Sequence, residues 1–228
     1  MVEKKEKEIL RVKTGNEAIQ ESYGKMSKYY SLAEGFFEKG LRKGALELLN
    51  IQEGEIVLEI GFGTGYSLVE IAKRIGKTNK VSGIDLTPQM VEMTSKRLER
   101  AGLADRVELY EGDARGLPFE NNIFDAVYIA TTLELFDAHD IPKVLQQIKR
   151  VLKPNGRLGV ASLSKEGHES SLFLKLYEWL HKKIPKYIDC RPIYVADCIR
   201  EAGYKIMKAE ELRVVRLAPF KVVIASPE

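Results

Sequence analysis

Apolar positions along this chain keep two different rhythms. Ile56, Val57, Leu58 and Ile60 form a short, nearly continuous apolar run, as in a strand buried on both faces. Leu68, Ile71, Ala72 and Ile75 then fall at i, i+3, i+4 and i+7, the spacing of one helix face. The alternation repeats. Lys80 to Asp85 reads as a second strand, followed by a helix opened by Thr87 and Pro88 with Met90, Val91, Thr94, Leu98 and Ala101 inward. Arg106 to Glu111 and Phe124 to Ala130 read as the third and fourth strands. Asp140 and Pro142 open a helix striped by Ile141, Val144, Leu145, Ile148, Val151 and Leu152, which Lys153 to Gly156 stop before a fifth strand, Arg157 to Leu163.

Strands alternating with helices of this length predict an α/β fold: a Rossmann-like, mostly parallel sheet covered by helices on both faces. Beyond Leu163 the beat changes. Leu172, Phe173, Leu176, Tyr177 and Leu180 predict an extra amphipathic helix in an insertion at about 168–186, where it could cover a substrate. A helix over Tyr194 to Ala202 and strands over Tyr204 to Ala209 and Leu217 to Ala225 close the chain. Ahead of the first strand, residues 1–50 read as a charged tail and a helical lid, with a helical region from about Glu17 to Asn50. Residues 51–228 read as the main domain. Tyr23, Tyr29, Tyr30, Phe36 and Phe37 make that lid rich in aromatic rings.

The chemistry starts where the first strand meets its helix, at Gly61-Phe62-Gly63-Thr64-Gly65. Glycines let the backbone turn tightly and approach a ligand, and the helix start offers free N–H groups. The dinucleotide fingerprint would place its third glycine at position 66, which is Tyr66 here. Asp85 ends the second strand, 20 positions past Gly65, where an acid can accept hydrogen bonds from both ribose hydroxyls and repel a 2′-phosphate. Asp113 follows the third strand in Gly112-Asp113-Ala114; its carboxylate suits an adenine amine, and the Ala114 N–H a ring nitrogen. Glu59 precedes the glycine turn and could hold a ligand ammonium group, because a buried acid needs a partner.

Composition narrows the field. The 228 residues suit one embellished domain, and the net charge of +3 is too mild for a nucleic-acid binder. Cys190 and Cys198 supply neither a disulfide framework nor a metal cluster, so no metal is expected. No apolar stretch is long enough to span a bilayer and the amino end lacks the apolar run of a signal peptide, so a cytoplasmic chain is the expectation.

Val57 to Gly65, Ile84-Asp85, Gly112-Asp113-Ala114 with Leu117-Pro118-Phe119, Phe124-Asp125, and Leu152 to Gly156 occur in the order of the class I S-adenosylmethionine-dependent methyltransferases. The resemblance covers about residues 50 to 165. It is strongest to the branch containing the ubiquinone and menaquinone C-methyltransferases. It implies a seven-stranded sheet with its last strand antiparallel, and S-adenosylmethionine over the carboxyl ends of the first two strands. By position, Gly61, Gly63, Thr64 and Gly65 line the methionine part and Asp85 holds the ribose. Leu86 flanks the adenine, and Asp113 and Ala114 contact it. Ala130, Thr131 and Thr132 lie near the methyl. The quinone enzymes carry an Arg-Asn pair after the fourth strand; this chain has Leu133-Glu134-Leu135-Phe136.

The expected activity is therefore methyl transfer to a small molecule, and the apolar helix near 170–184 directs attention to an apolar one. Glu134, Tyr23 and Tyr30 are the candidates for a catalytic role beside the acceptor, and the oligomeric state is left open. A rival class is an NAD-dependent oxidoreductase, which Tyr66 disfavours. Another is a non-catalytic S-adenosylmethionine-binding regulatory module.

Overall fold

A computed structural model describes Ile9 and residues 39–184, 190–213 and 218–228. Helix α1 (Lys39–Leu49) leads into β1 (Val57–Ile60), α2 (Tyr66–Arg74), β2 (Val81–Asp85), α3 (Pro88–Ala101), β3 (Val107–Glu111) and β4 (Phe124–Ala130). There follow α4 (Ile141–Val151), β5 (Leu152–Leu163), α5 (Leu172–Lys183), α6 (Val195–Glu201), β6 (Tyr204–Arg213) and β7 (Pro219–Pro227). The seven strands form one sheet in the order β3-β2-β1-β4-β5-β7-β6. Neighbours from β3 to β5 run parallel, while β7 is antiparallel to both β5 and β6. The chain winds outward from β1 to β3, then crosses back to place β4 on the other side of β1. Ligands of open α/β sheets bind at such a reversal, above the carboxyl ends of the strands.

All four residues of β1 are buried, as a central strand covered on both faces requires. Alternate residues serve opposite cores. Leu58 and Ile60 join Val127, Ile129, Val160 and the apolar stripes of α4 and α6. Val57 joins Tyr128, Ala161, Ile224 and the inner faces of α1, α2 and α3. Glu59 follows the parity of Val57, so its side chain leaves β1 on the α1–α3 face.

Helix α1 buries Leu41, Ala45, Leu46 and Leu49 against that face. Gly159 of β5 admits it: a Cβ there would sit 3.0 Å from Leu49 Cδ1. Arg157 holds the end of the helix, donating to the Leu49 carbonyl at 2.6 Å, to the Asn50 carbonyl at 2.8 Å and to both oxygens of Glu55 at 2.8 Å. The expected lid thus has its carboxyl-terminal part packed on the sheet. Its earlier part, including Tyr23, Tyr29, Tyr30, Phe36 and Phe37, lies outside the described residues.

Three strands extend past their expected bounds, β7 by running on to Pro227. β6 continues to Arg213 because β7 pairs with it throughout; as an outer strand it carries Lys205, Lys208, Glu210 and Glu211, which hide its period. β5 begins at Leu152, with an irregular register against β4 between Phe124 and Ala126. The insertion after β5 leaves and returns at one point: Ser164 bridges Ile193, and the Ile193 N–H donates to the Leu163 carbonyl at 3.0 Å.

Gly65, at φ 80°, closes the glycine turn and opens α2. A Cβ there would come within 2.5 Å of Thr94 Cγ2, and the Thr94 hydroxyl donates to the Gly63 carbonyl at 2.8 Å. Gly65→Ala is therefore expected to destabilise the fold by about 2 kcal/mol or more, combining left-handed backbone strain with overpacking. Urea unfolding of wild type and variant, compared at their midpoints, checks this.

Candidate active site

The glycine turn is held open by its neighbours. Gly61, Gly63 and Gly65 all have positive φ, at 67°, 51° and 80°. Gly61 abuts the tip of β4, where a Cβ would meet Thr132 Oγ1 at 2.3 Å. On the other side the Gly63 N–H donates to Asp85 Oδ2 at 2.9 Å, while Asp85 Oδ1 accepts from the Thr87 N–H at 2.9 Å. Burial raises the Asp85 carboxyl above its ordinary range, and the bonds from Gly63 and Thr87 oppose that by favouring the carboxylate. Thr87 occupies the N-cap position of α3 without capping it; its hydroxyl is bonded to Asp85 instead.

A further link reaches β3, since the Gly112 N–H donates to the Asp85 carbonyl at 2.9 Å. Asp113 then turns the chain, accepting from the Arg115 N–H at 2.9 Å. The Arg115 guanidinium also holds both Asp113 oxygens, at 3.0 and 2.6 Å, and bonds Asp140 at 2.8 Å. This engagement raises the Arg115 pKa further. Asp140, at the N-cap position of α4, therefore spends its carboxylate on Arg115 rather than on its own helix.

Between the tips of β1 and β4 lies a cleft of about 360 Å³, counting the part open to solvent. Glu59 and Tyr128 rise into it from the sheet, and Gly61, Ala130 and Thr131 form its rim. Leu41 and Arg42 of α1 and Tyr66 and Ser67 of α2 make the opposite wall. Thr131 is held at φ 47°, in the left-handed region, with its N–H donating to Ala161 at 2.8 Å. A strained residue of this kind marks a rim that the surrounding sheet overdetermines.

Comparison with known proteins agrees with this geometry. Residues 57–156 match the methyltransferase domain family. Over those residues the chain is similar to methyltransferase domains. It is 32% identical over 142 residues to a demethylmenaquinone methyltransferase of Lactobacillus johnsonii, covering 62% of this chain and 56% of that protein. It is likewise 32% identical over 160 residues to the ubiquinone/menaquinone biosynthesis C-methyltransferase UbiE of Hydrogenovibrio crunogenus, covering 70% and 61%. The chain thus spans somewhat more than half the length of these curated relatives. A SAM-dependent methyltransferase from Aquifex aeolicus shares the fold, with a TM-score of 0.62 at 23% identity over 81% of this chain and 88% of that one.

The cleft gathers Glu59, Gly61, Ala130 and Thr131 from the residues singled out in the sequence. Gly63, Asp85, Gly112 and Asp113 continue from it along the strand tips through the bonds described above. Thr64 has no exposed surface and supports the turn from inside, and Ala114 is 5% exposed. Leu86 is half-buried beside Asp85. Arg42, Ser67 and Tyr128 were not singled out: Arg42 and Ser67 sit within ordinary helix patterns, and Tyr128 reads as strand core. Among the described residues no group of three or more His, Cys, Asp or Glu could hold a metal, and no helix is long and apolar enough to cross a membrane.

Glu134 stands apart from the cleft. It is 1% exposed, its Oε2 accepting from Ser162 Oγ at 2.7 Å and its Oε1 from the Leu163 N–H at 3.1 Å. Arg191, fully buried, donates to the carbonyls of Glu134 and Phe136 at 2.5 and 2.6 Å. This arrangement ties β4, β5 and the return of the insertion together. Tyr23 and Tyr30, the other two catalytic candidates, lie outside the described residues.

Burial pushes the Glu134 carboxyl up to about 7, against the bonds and the nearby Arg191 that favour ionisation. Its folded-state pKa is therefore above the unfolded value of 4.5. Between these values the folded chain holds a proton that the unfolded chain has lost, so this group's contribution to stability falls as pH rises through the window. The full change is about 3 kcal/mol. Glu134→Gln imitates the protonated carboxyl. Its stability relative to wild type should improve from pH 4.5 to pH 7, as measured by urea unfolding across that range.

Proposed function

We propose that this chain is an enzyme that transfers a methyl group from S-adenosylmethionine to a small molecule. The observation that carries the proposal is Asp85: a buried carboxylate at the tip of β2, bonded to the Gly63 amide. A carboxylate has about four acceptor positions; the Gly63 and Thr87 amides and the Thr87 hydroxyl take three, which leaves capacity for a ribose hydroxyl. Glu59 provides an acid for an ammonium group, and the glycine turn lets a ligand tail lie close to the backbone. These residues suit an adenosine joined to an amino acid.

Each residue then has a task. Asp85 holds the ribose, with Leu86 flanking the base. The Ala114 N–H and Asp113 meet the base edge, and Arg115 fixes the carboxylate of Asp113. Gly61, Gly63, Thr64 and Gly65 shape the bed of the tail. Ala130 and Thr131 form the rim toward the acceptor. When bound, S-adenosylmethionine supplies a methyl group already activated as a sulfonium, so the protein needs no covalent nucleophile. The work left to the chain is alignment and exclusion of water.

The names of the curated relatives direct attention to a quinone acceptor. Leu133 and Glu134 stand near the place of the quinone enzymes' Arg-Asn pair, and both are buried in the core. We therefore extend the proposal to a small, apolar acceptor without specifying a quinone. Helix α5, with Leu172, Leu176 and Trp179 exposed, supplies apolar surface on the insertion after β5.

Asp85→Ala is expected to weaken S-adenosylhomocysteine binding by more than tenfold, about 1.4 kcal/mol, because a hydrogen bond from the ribose to a charged acceptor is lost. Calorimetry on variant protein with a native circular dichroism spectrum measures it, and unchanged affinity would remove Asp85 from the ribose role. Tight NAD binding by the wild type without S-adenosylhomocysteine binding would favour an oxidoreductase. Absence of labelled methyl transfer to any apolar acceptor, with cofactor binding intact, would favour a regulatory module.

A further inference from the structure

We propose that the outer face of α5 docks on an anionic lipid bilayer, with Leu172, Leu176 and Trp179 entering the headgroup boundary and Lys175, Lys182 and Lys183 meeting its phosphates. The helix carries its apolar residues on the unexpected side. Its buried residues are Leu174 and His181, while Leu172 is 82% exposed, Leu176 56% and Trp179 52%. These three fall at i, i+4 and i+7 and share one stripe along the helix. Ile184, just past the last turn, is exposed as well. Single apolar residues are ordinary on a protein surface, but a contiguous patch marks a site of association.

The contacts of α5 fix which way the stripe points. Ser171 caps the helix, accepting from the Leu174 N–H at 3.4 Å. The Tyr177 hydroxyl meets Cys190 Sγ at 2.7 Å, tying the helix to the segment that returns toward the sheet. Leu174, Tyr177 and His181, at i, i+3 and i+7, form the inner side. The stripe lies opposite.

Charge selects the occupant. Lys175 and Lys182 border the stripe on one side and Lys183 lies along it, all three exposed. The one acid of α5, Glu178, is bonded to Lys165 at 2.8 Å, with both side chains mostly buried. Glu169, ahead of the helix, is turned back to the Gly167 N–H. The exposed charge on the helix is therefore positive throughout. Leucine and tryptophan beside lysine suit a helix that lies in a bilayer interface, where the tryptophan ring settles at headgroup level. Lysine stems lie along apolar surface while their ammonium groups reach the phosphates. A second copy on the same face would set these lysines against each other across a two-fold axis, and protein interfaces are depleted in lysine. An apolar acceptor of the kind proposed above would gather in such a bilayer. Vesicle binding is read without cofactor or acceptor, so the docking face is tested apart from methyl transfer.

Trp179 is the single tryptophan of the chain, so its emission reports on this face alone. The full chain is titrated with vesicles of mixed phosphatidylglycerol and phosphatidylcholine, and with vesicles of phosphatidylcholine alone. The mixed vesicles should move the emission to shorter wavelength, and lipids brominated on the acyl chains should quench it. Phosphatidylcholine alone should do neither at the same concentration. Lys175→Gln combined with Lys182→Gln should weaken binding to the mixed vesicles by about tenfold or more, at about fivefold per lysine. Leu172→Ser combined with Leu176→Ser should weaken it by about tenfold or more through lost apolar burial. Both pairs change exposed positions, and a native circular dichroism spectrum is required of each; if the leucine pair folds poorly, the lysine pair decides. No response to the mixed vesicles, or an equal response to both lipids, overturns the proposal. A shift that grows with protein concentration in the absence of lipid assigns the face to a second copy and overturns it. Emission already at short wavelength without lipid, at every protein concentration, means that the chain covers its own face, and overturns it too.

Discussion

The arrangement depends on one buried carboxylate. Asp85 takes a backbone N–H from the glycine turn on one side and another from the start of α3 on the other. An ionised acid in that position is costly to bury, and the two amides offset the cost by direct hydrogen bonding. The result is rigid spacing between β1, β2 and the two helix starts that follow them. The Gly112 amide adds β3 through the backbone of the same residue. Three consecutive strand tips are thereby registered to each other before any ligand arrives, which is the preorganisation a binding site needs.

A second level of constraint comes from outside the sheet crossover. Helix α1 belongs to no strand–helix–strand unit, yet it supplies one wall of the cleft. Its place follows from a missing side chain at Gly159 and from the forked hydrogen bonding of Arg157. The first lets the helix approach and the second fixes where it stops. Arg42 inherits its direction from that packing, so the charge balance of the cleft is set by residues more than a hundred positions away in the chain.

Much of this was legible in the linear pattern because the central strands are short, apolar and bounded by turn residues. The strand-end acids announced themselves by following such runs. Long-range partnerships were not legible. Thr87 and Asp140 stand where caps belong, yet their side chains turn to Asp85 and Arg115 because a charged partner outweighs an exposed helix end. Glu134 follows the fourth strand, as a residue beside an acceptor would, but its neighbours Leu133 and Leu135 bend the chain inward into a short turn. Arg42 carries no local signal, since an arginine among Lys39, Lys43 and Glu47 on an amphipathic helix looks like solvated surface. The outer strand β6 was shortened in the reading for the opposite reason: its charges conceal a ladder that β7 completes.

The insertion carrying α5 begins and ends beside itself, with Ser164 against Ile193 and buried Arg191 fastening the return to the segment after β4. Such a closed excursion can change length and sequence without disturbing the sheet to which it is pinned. Evolution could therefore exchange the insertion while the strand tips around Asp85 stayed constant. Grafts made by an engineer would have their natural seams at Leu163 and Arg191.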